Sequence, residues 1–88
     1  MKLMVDTKDV IKYGCAKAII MALCRKERRI SIEKIENEMG MSEFAVRNHI
    51  ADLKRFGKIK VFYNNQMAVR EYGKGKANKI VRIDVYDD

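Results

Sequence analysis

SIEKIENEMGMSEFAVRNHIADLKRFG, residues 31–57, holds two helical periods separated by a single glycine. Ser31 is a capping residue type, and Ile32, Ile35 and Met39 follow it at spacings of three and four. That pattern predicts a helix over about 32–39 with those three side chains turned inward. Gly40 stands where a helix can end in a left-handed residue at no steric cost. Met41 then plugs the turn, and Ser42 caps a further helix over about 43–56, which Gly57 ends by the same chemistry. At 100° per residue, Val46, Ile50, Leu53 and Phe56 share one face of that helix and are its expected buried stripe. Phe44, Asn48, Ala51 and Arg55 fall on the opposite face, with Arg47 at its flank.

The chain on either side continues in two different periods. Asp6 or Thr7 can cap a first helix over about 8–27, in which Ile11, Cys15, Ala18, Ile19, Ala22 and Leu23 form a stripe. Ile20, Met21 and Cys24 widen that stripe beyond what a small core needs. The extra width fits either a helix sandwiched by neighbours on two sides or one packed on a second copy of the chain. Arg28 to Ser31 is too short for a helix and reads as a brief extended bridge. After Gly57 the period changes to two. Ile59, Val61 and Tyr63 alternate with Lys60 and Phe62, and after the Asn64-Asn65 break Val81, Ile83 and Val85 alternate with Arg82, Asp84 and Tyr86. These are the two arms of a hairpin over about 58–86. Between them, Met67 to Tyr72 is either an added strand turned by Gly73-Lys74-Gly75-Lys76 or part of one long hairpin tip.

Two helices joined by a Gly-Met-Ser turn and followed by a hairpin closely resemble the winged helix-turn-helix family of DNA-binding proteins. The resemblance rests on Ile32 to Ser42, on Val46 to Leu53 and on Gly57-Lys58-Ile59, and covers about residues 10–63. It implies an α+β fold: a single domain over 1–88, a three-helix winged helix-turn-helix with a C-terminal β-hairpin wing. It also implies that the third helix enters the major groove of double-stranded DNA while the wing meets the minor groove or neighbouring phosphates. The outward face of that helix carries residue types that read base edges: arginine for guanine, asparagine for adenine, apolar groups for the thymine methyl. The expected DNA-binding set is Ser42, Phe44, Arg47, Asn48, Lys54 and Arg55, joined by the wing cations Arg70, Lys74, Lys76 and Lys79. Ser42 has two uses here, since its hydroxyl caps the helix and a helix N-terminus also holds phosphate.

Charge points the same way. The net charge is +7, with a pI near 9.6, which favours a polyanionic partner. Between Lys54 and Lys79 lie eight cations against Glu71 alone, so the whole surplus sits in that stretch. The expected function is sequence-specific binding of double-stranded DNA by a transcription regulator, a homodimer joined through the first helix and the N-terminal residues. The alternative is a winged-helix protein–protein interaction module in a larger assembly. Binding of RNA or single strands ranks third, because alternation puts Phe62 and Tyr63 on opposite faces, where they form no joint stacking platform.

Other classes lack residues to support them. Eighty-eight residues leave little material for a deep substrate pocket, and no small-molecule substrate, cofactor or metal is expected. The one histidine, His49, falls at the edge of the buried stripe and has no nucleophile beside it, so the chain does not read as an enzyme. Cys15 and Cys24 point to opposite faces of one helix and read as small packing residues. The longest apolar run, Ala18 to Cys24, is far short of the roughly 20 residues that span a membrane. Met1 to Asp6 has no signal-peptide hydrophobic region, so a cytoplasmic location and no membrane partner are expected.

Overall fold

Asp6 opens the first helix by accepting a hydrogen bond on its carboxylate from the Lys8 amide at 2.9 Å, and α1 runs from Thr7 to Tyr13. The computed structural model describes residues 3–27, 29–64 and 79–86. The single helix expected over 8–27 is two. Gly14 breaks it with φ 95° and ψ 162°, a backbone region that is essentially closed to any residue but glycine. α2 follows over Cys15–Lys26. Buried Asp9 of α1 accepts from the Arg25 guanidinium of α2 at 3.1 Å. Ala18 and Ala22, buried outside the main apolar cluster, lie on the same face of α2 as Arg25.

The break redistributes the expected stripe. Ile11 is 81% exposed and Cys15 is exposed, while Ile20, Met21, Leu23 and Cys24 enter the core. Ile20, Met21 and Cys24, which only widened the stripe, therefore join the stripe residue Leu23 in holding the helix in place. α2 packs against α1 on one side and against α4 and β2 on others, so its broad apolar surface is covered by its own chain. Burial pushes the Cys24 thiol up to about 12, leaving it protonated and inert as a packing group.

The next two helices follow from their caps. α3 spans Ile32–Met39, with the Ser31 hydroxyl accepting from the Lys34 amide at 3.1 Å. Gly40 ends it in the left-handed conformation at φ 65°. α4 spans Glu43–Arg55, with the Ser42 hydroxyl accepting from the Ala45 amide at 3.2 Å. Val46, Ile50 and Leu53 are buried as the period requires. Phe56 is not. It is 56% exposed, because the helix ends before it and its ring stacks on Tyr13 of α1 with centroids 5.7 Å apart.

β1 (Ile59–Asn64) and β2 (Lys79–Val85) pair antiparallel as a two-stranded hairpin. A regular strand would send Ile80 and Ile83 to opposite faces, yet both are buried. The register explains it: Phe62 pairs with Arg82 and Tyr63 with Ile80, leaving Val81 as the extra residue of a bulge. Val81, expected to point inward, is thus exposed and Ile80 takes its place. Val81 also receives the brief extended bridge, since its carbonyl accepts from the Ile30 amide at 3.1 Å and Arg29 pairs with Arg82.

Ile20 and Met21 of α2, Ile35 of α3, Leu53 of α4, Ile59 of β1 and Ile83 of β2 meet in one core. Among the described residues the architecture is α+β, with four helices rather than three and one antiparallel hairpin. None of these helices is long and apolar enough to cross a membrane. The stretch 66–78, left open between strand and hairpin tip, lies outside the described residues.

Candidate nucleic-acid interface

Burying Val46, Ile50 and Leu53 turns the other side of α4 outward, because a helix repeats every 3.6 residues. Phe44 is 75% exposed there, and Asn48, Ala51 and Arg55 are exposed beside it. Ser42 is exposed at the N-terminus of α4, with its hydroxyl engaged as the cap. Arg47 lies along the flank and donates from Nε to Glu43 Oε2 at 2.7 Å, one helical turn earlier. Arg55 is ion-paired with Asp52. Lys54 lies at the C-terminal end of α4, where its ammonium is 5.6 Å from the Tyr63 ring centroid and 3.3 Å from the Tyr63 hydroxyl. Lys79 is exposed at the start of β2. Of the expected wing cations, Arg70, Lys74 and Lys76 lie outside the described residues.

The structure brings Arg47 and Lys79 together. Both line a groove of about 680 Å³ between α3, the N-terminal part of α4 and the start of β2. Arg29, Lys34, Glu33, Glu36 and Glu43 line it too, so its lining combines cations and carboxylates with the apolar Ile30, Ile32 and Ile80. Lys34 is held by Glu27 at 3.2 Å and by Glu38 at 3.8 Å. Lys58, counted among the cations of the basic stretch, is buried, and its carbonyl accepts from the Tyr86 amide at 2.8 Å.

The inner edge of α4 is fastened electrostatically to α2. The Lys17 ammonium stands 3.0 Å from His49 Nδ1 and 3.3 Å from Asp52 Oδ2. An ammonium only donates, so Nδ1 must accept and the imidazole is neutral, with its proton on Nε2. Burial holds the His49 pKa below its ordinary value of 6.5, and the Lys17 charge lowers it further, against partial opposition from Asp52. His49 is thus a boundary residue whose ring is held by Lys17. Asp52 serves both Lys17 and Arg55, so it links the seating of α4 to the pose of an outward arginine.

On the outer face of the hairpin the Arg82 guanidinium lies 4.5 Å from the Phe62 ring centroid, and the Lys60 ammonium 5.3 Å from it. Asp84 accepts two hydrogen bonds from Arg82, at 2.9 and 2.8 Å. Cations therefore lie against the Phe62 ring, which a stacking base would need bare.

Sequence reasoning missed Glu43 and Asp52, the partners of the two outward arginines. Their signal was available, since spacings of four and three place each acid beside its arginine on a helix. The Lys17–His49 contact joins residues 32 apart and had no such signal. Among the described residues no three His, Cys, Asp or Glu side chains come together as a metal site. No protein-family model matches the chain, and neither does any curated protein or solved structure.

Proposed function

We propose that the chain is a winged helix-turn-helix protein that binds double-stranded DNA in a sequence-specific manner and regulates transcription in the cytoplasm. Its part in that role is binding rather than catalysis. α4 is the recognition helix, α3 and the Gly40 turn complete the helix-turn-helix, and the hairpin is the wing. One observation carries this reading: an aromatic, an amide and a guanidinium, on Phe44, Asn48 and Arg55, stand outward on the side of α4 away from the core. A solvated helix face has little use for an exposed phenylalanine, whereas a base-reading face uses all three groups. The +7 surplus, carried by the stretch that includes the end of α4 and the hairpin, supplies the attraction to phosphate.

The working species is a homodimer through the N-terminal residues and the first helical segment, where Met4 is 88% exposed and Ile11 81%. Two copies set two recognition helices on half-sites one turn apart, ~34 Å. Selection of bound duplexes from a random pool at two salt concentrations tests the proposal. A recurrent, two-fold related motif is expected, and recovery of unselected sequence at both salts overturns base reading. A protein–protein module is the second reading, favoured by the same exposed Phe44, Met4 and Ile11. It requires negligible affinity for any duplex even at low salt.

A further inference from the structure

We infer that Glu43 is a specificity-determining residue that positions Arg47 to read a guanine on the flank of α4, an inference that rests on the DNA-binding reading above. A free arginine on a helix surface samples many rotamers, and ordering it on binding opposes affinity. Here one of its five N–H donors is already committed, because Nε donates to Glu43 Oε2 at 2.7 Å. The guanidinium is planar, so fixing Nε in that bond restricts the plane in which the Nη donors lie. Four donors remain on the Nη atoms, and a parallel pair of donors is what guanine O6 and N7 accept.

Two further features belong to Glu43 itself. It is the first residue of α4, directly after the Ser42 cap, and its negative charge there opposes a phosphate at that helix terminus. The N-terminal end of α4 is thereby biased toward base edges, and away from the phosphate role that Ser42 could otherwise serve. Glu43 and Arg47 also both line the groove that reaches Lys79 at the start of β2. The pair thus shares a groove with Lys79 of the hairpin, a cation able to meet a phosphate. Glu43 is a positioning residue at Arg47, and its second effect is to suppress binding of random sequence.

The test uses the full chain and the duplex chosen by the wild-type protein from a random pool. Arg47→Ala first identifies the base pair whose replacement ceases to matter. At that pair Glu43→Ala is expected to reduce discrimination by roughly two- to twelvefold, the effect of losing one pre-ordered side chain. The same variant should bind random duplex more tightly. Glu43→Gln, whose amide oxygen still accepts from Nε, should restore discrimination at that pair while keeping the tighter random binding. Circular dichroism checks that each variant keeps the helix content of the wild type. Undiminished discrimination in Glu43→Ala, even with tighter random binding, overturns the inference and leaves DNA binding intact. A wild-type protein that selects no motif overturns both, so the two failures are separate.

Discussion

Single residues on α4 divide into those that hold the helix and those that face outward, and the two groups predict different losses. Replacing Asn48 or Arg47 with alanine should weaken the preferred duplex by ~1–3 kcal/mol and spare random duplex. Equal losses on both duplexes in a fluorescence anisotropy titration would refute base reading at these positions. His49 belongs to the holding group. Its pKa is lower folded than the ordinary 6.5, so as pH falls the unfolded chain takes up this proton first. The stability tied to neutral His49 is complete above that ordinary value and is lost as pH falls through it toward the folded pKa. Urea midpoints compared at about pH 7.5 and about pH 5.5 should therefore drop for the wild type and drop less for His49→Gln, which accepts from Lys17 without titrating. An equal drop in both proteins removes His49 from the explanation. The outward positions were readable in the sequence because helical period alone assigns them. The charge partners were readable only where they lie a turn away, as Glu43 does from Arg47.

At the scale of elements, the caps settle most boundaries and one glycine overrides a period. Ser31, Gly40 and Ser42 act through backbone groups two to four residues away, so α3 and the start of α4 were legible from the sequence. Gly14 was not, because the apolar spacing runs straight through it and the bend shows only once α1 lies on α2. An added methyl group at Gly14 would meet no atom within 4 Å, so any loss from Gly14→Ala comes from the backbone conformation itself. That loss should be ~1–3 kcal/mol by urea denaturation, the strain of a non-glycine residue in that region. An unchanged midpoint would mean that the bend is not a fixed feature of the fold. The Asp9–Arg25 pair, partly buried and 3.1 Å long, is the second restraint on α1. Asp9→Asn should speed amide exchange in Thr7–Tyr13 ahead of α3 and α4, and uniform exchange across all helices would deny α1 that dependence.

For the whole molecule, the relevant quantity is where charge lies relative to the exposed side of α4. On the proposed DNA-binding function, the basic stretch would supply a contribution that is independent of base sequence and sensitive to salt. Removing Lys74 and Lys76 together should weaken binding to all duplexes and flatten the slope of log affinity against log salt by about 0.9 for each phosphate that is no longer neutralised. An unchanged slope would exclude both lysines from the interface. Part of the surplus is already engaged within the fold: Lys58 is buried, and Lys54, Lys60 and Arg55 lie against Tyr63, Phe62 and Asp52. The number of phosphates neutralised should accordingly be smaller than the number of cations.

Sequence alone determined the capped helices over 32–39 and about 43–56, the second ending one residue earlier in the structure, the left-handed turn at Gly40, the period-two arms of the hairpin and the concentration of positive charge. The helices and the turn depend on groups within a few residues of one another, where steric limits and local hydrogen bonds act early, and the strand arms and the charge are read from residue type and spacing alone. Tertiary structure alone decided the bend at Gly14, the bulge at Val81, the outward stacking of Phe56 and the Lys17–His49–Asp52 fastening. Those features pair groups far apart in the chain, and their energies exist only when packing has brought the partners within reach of one another.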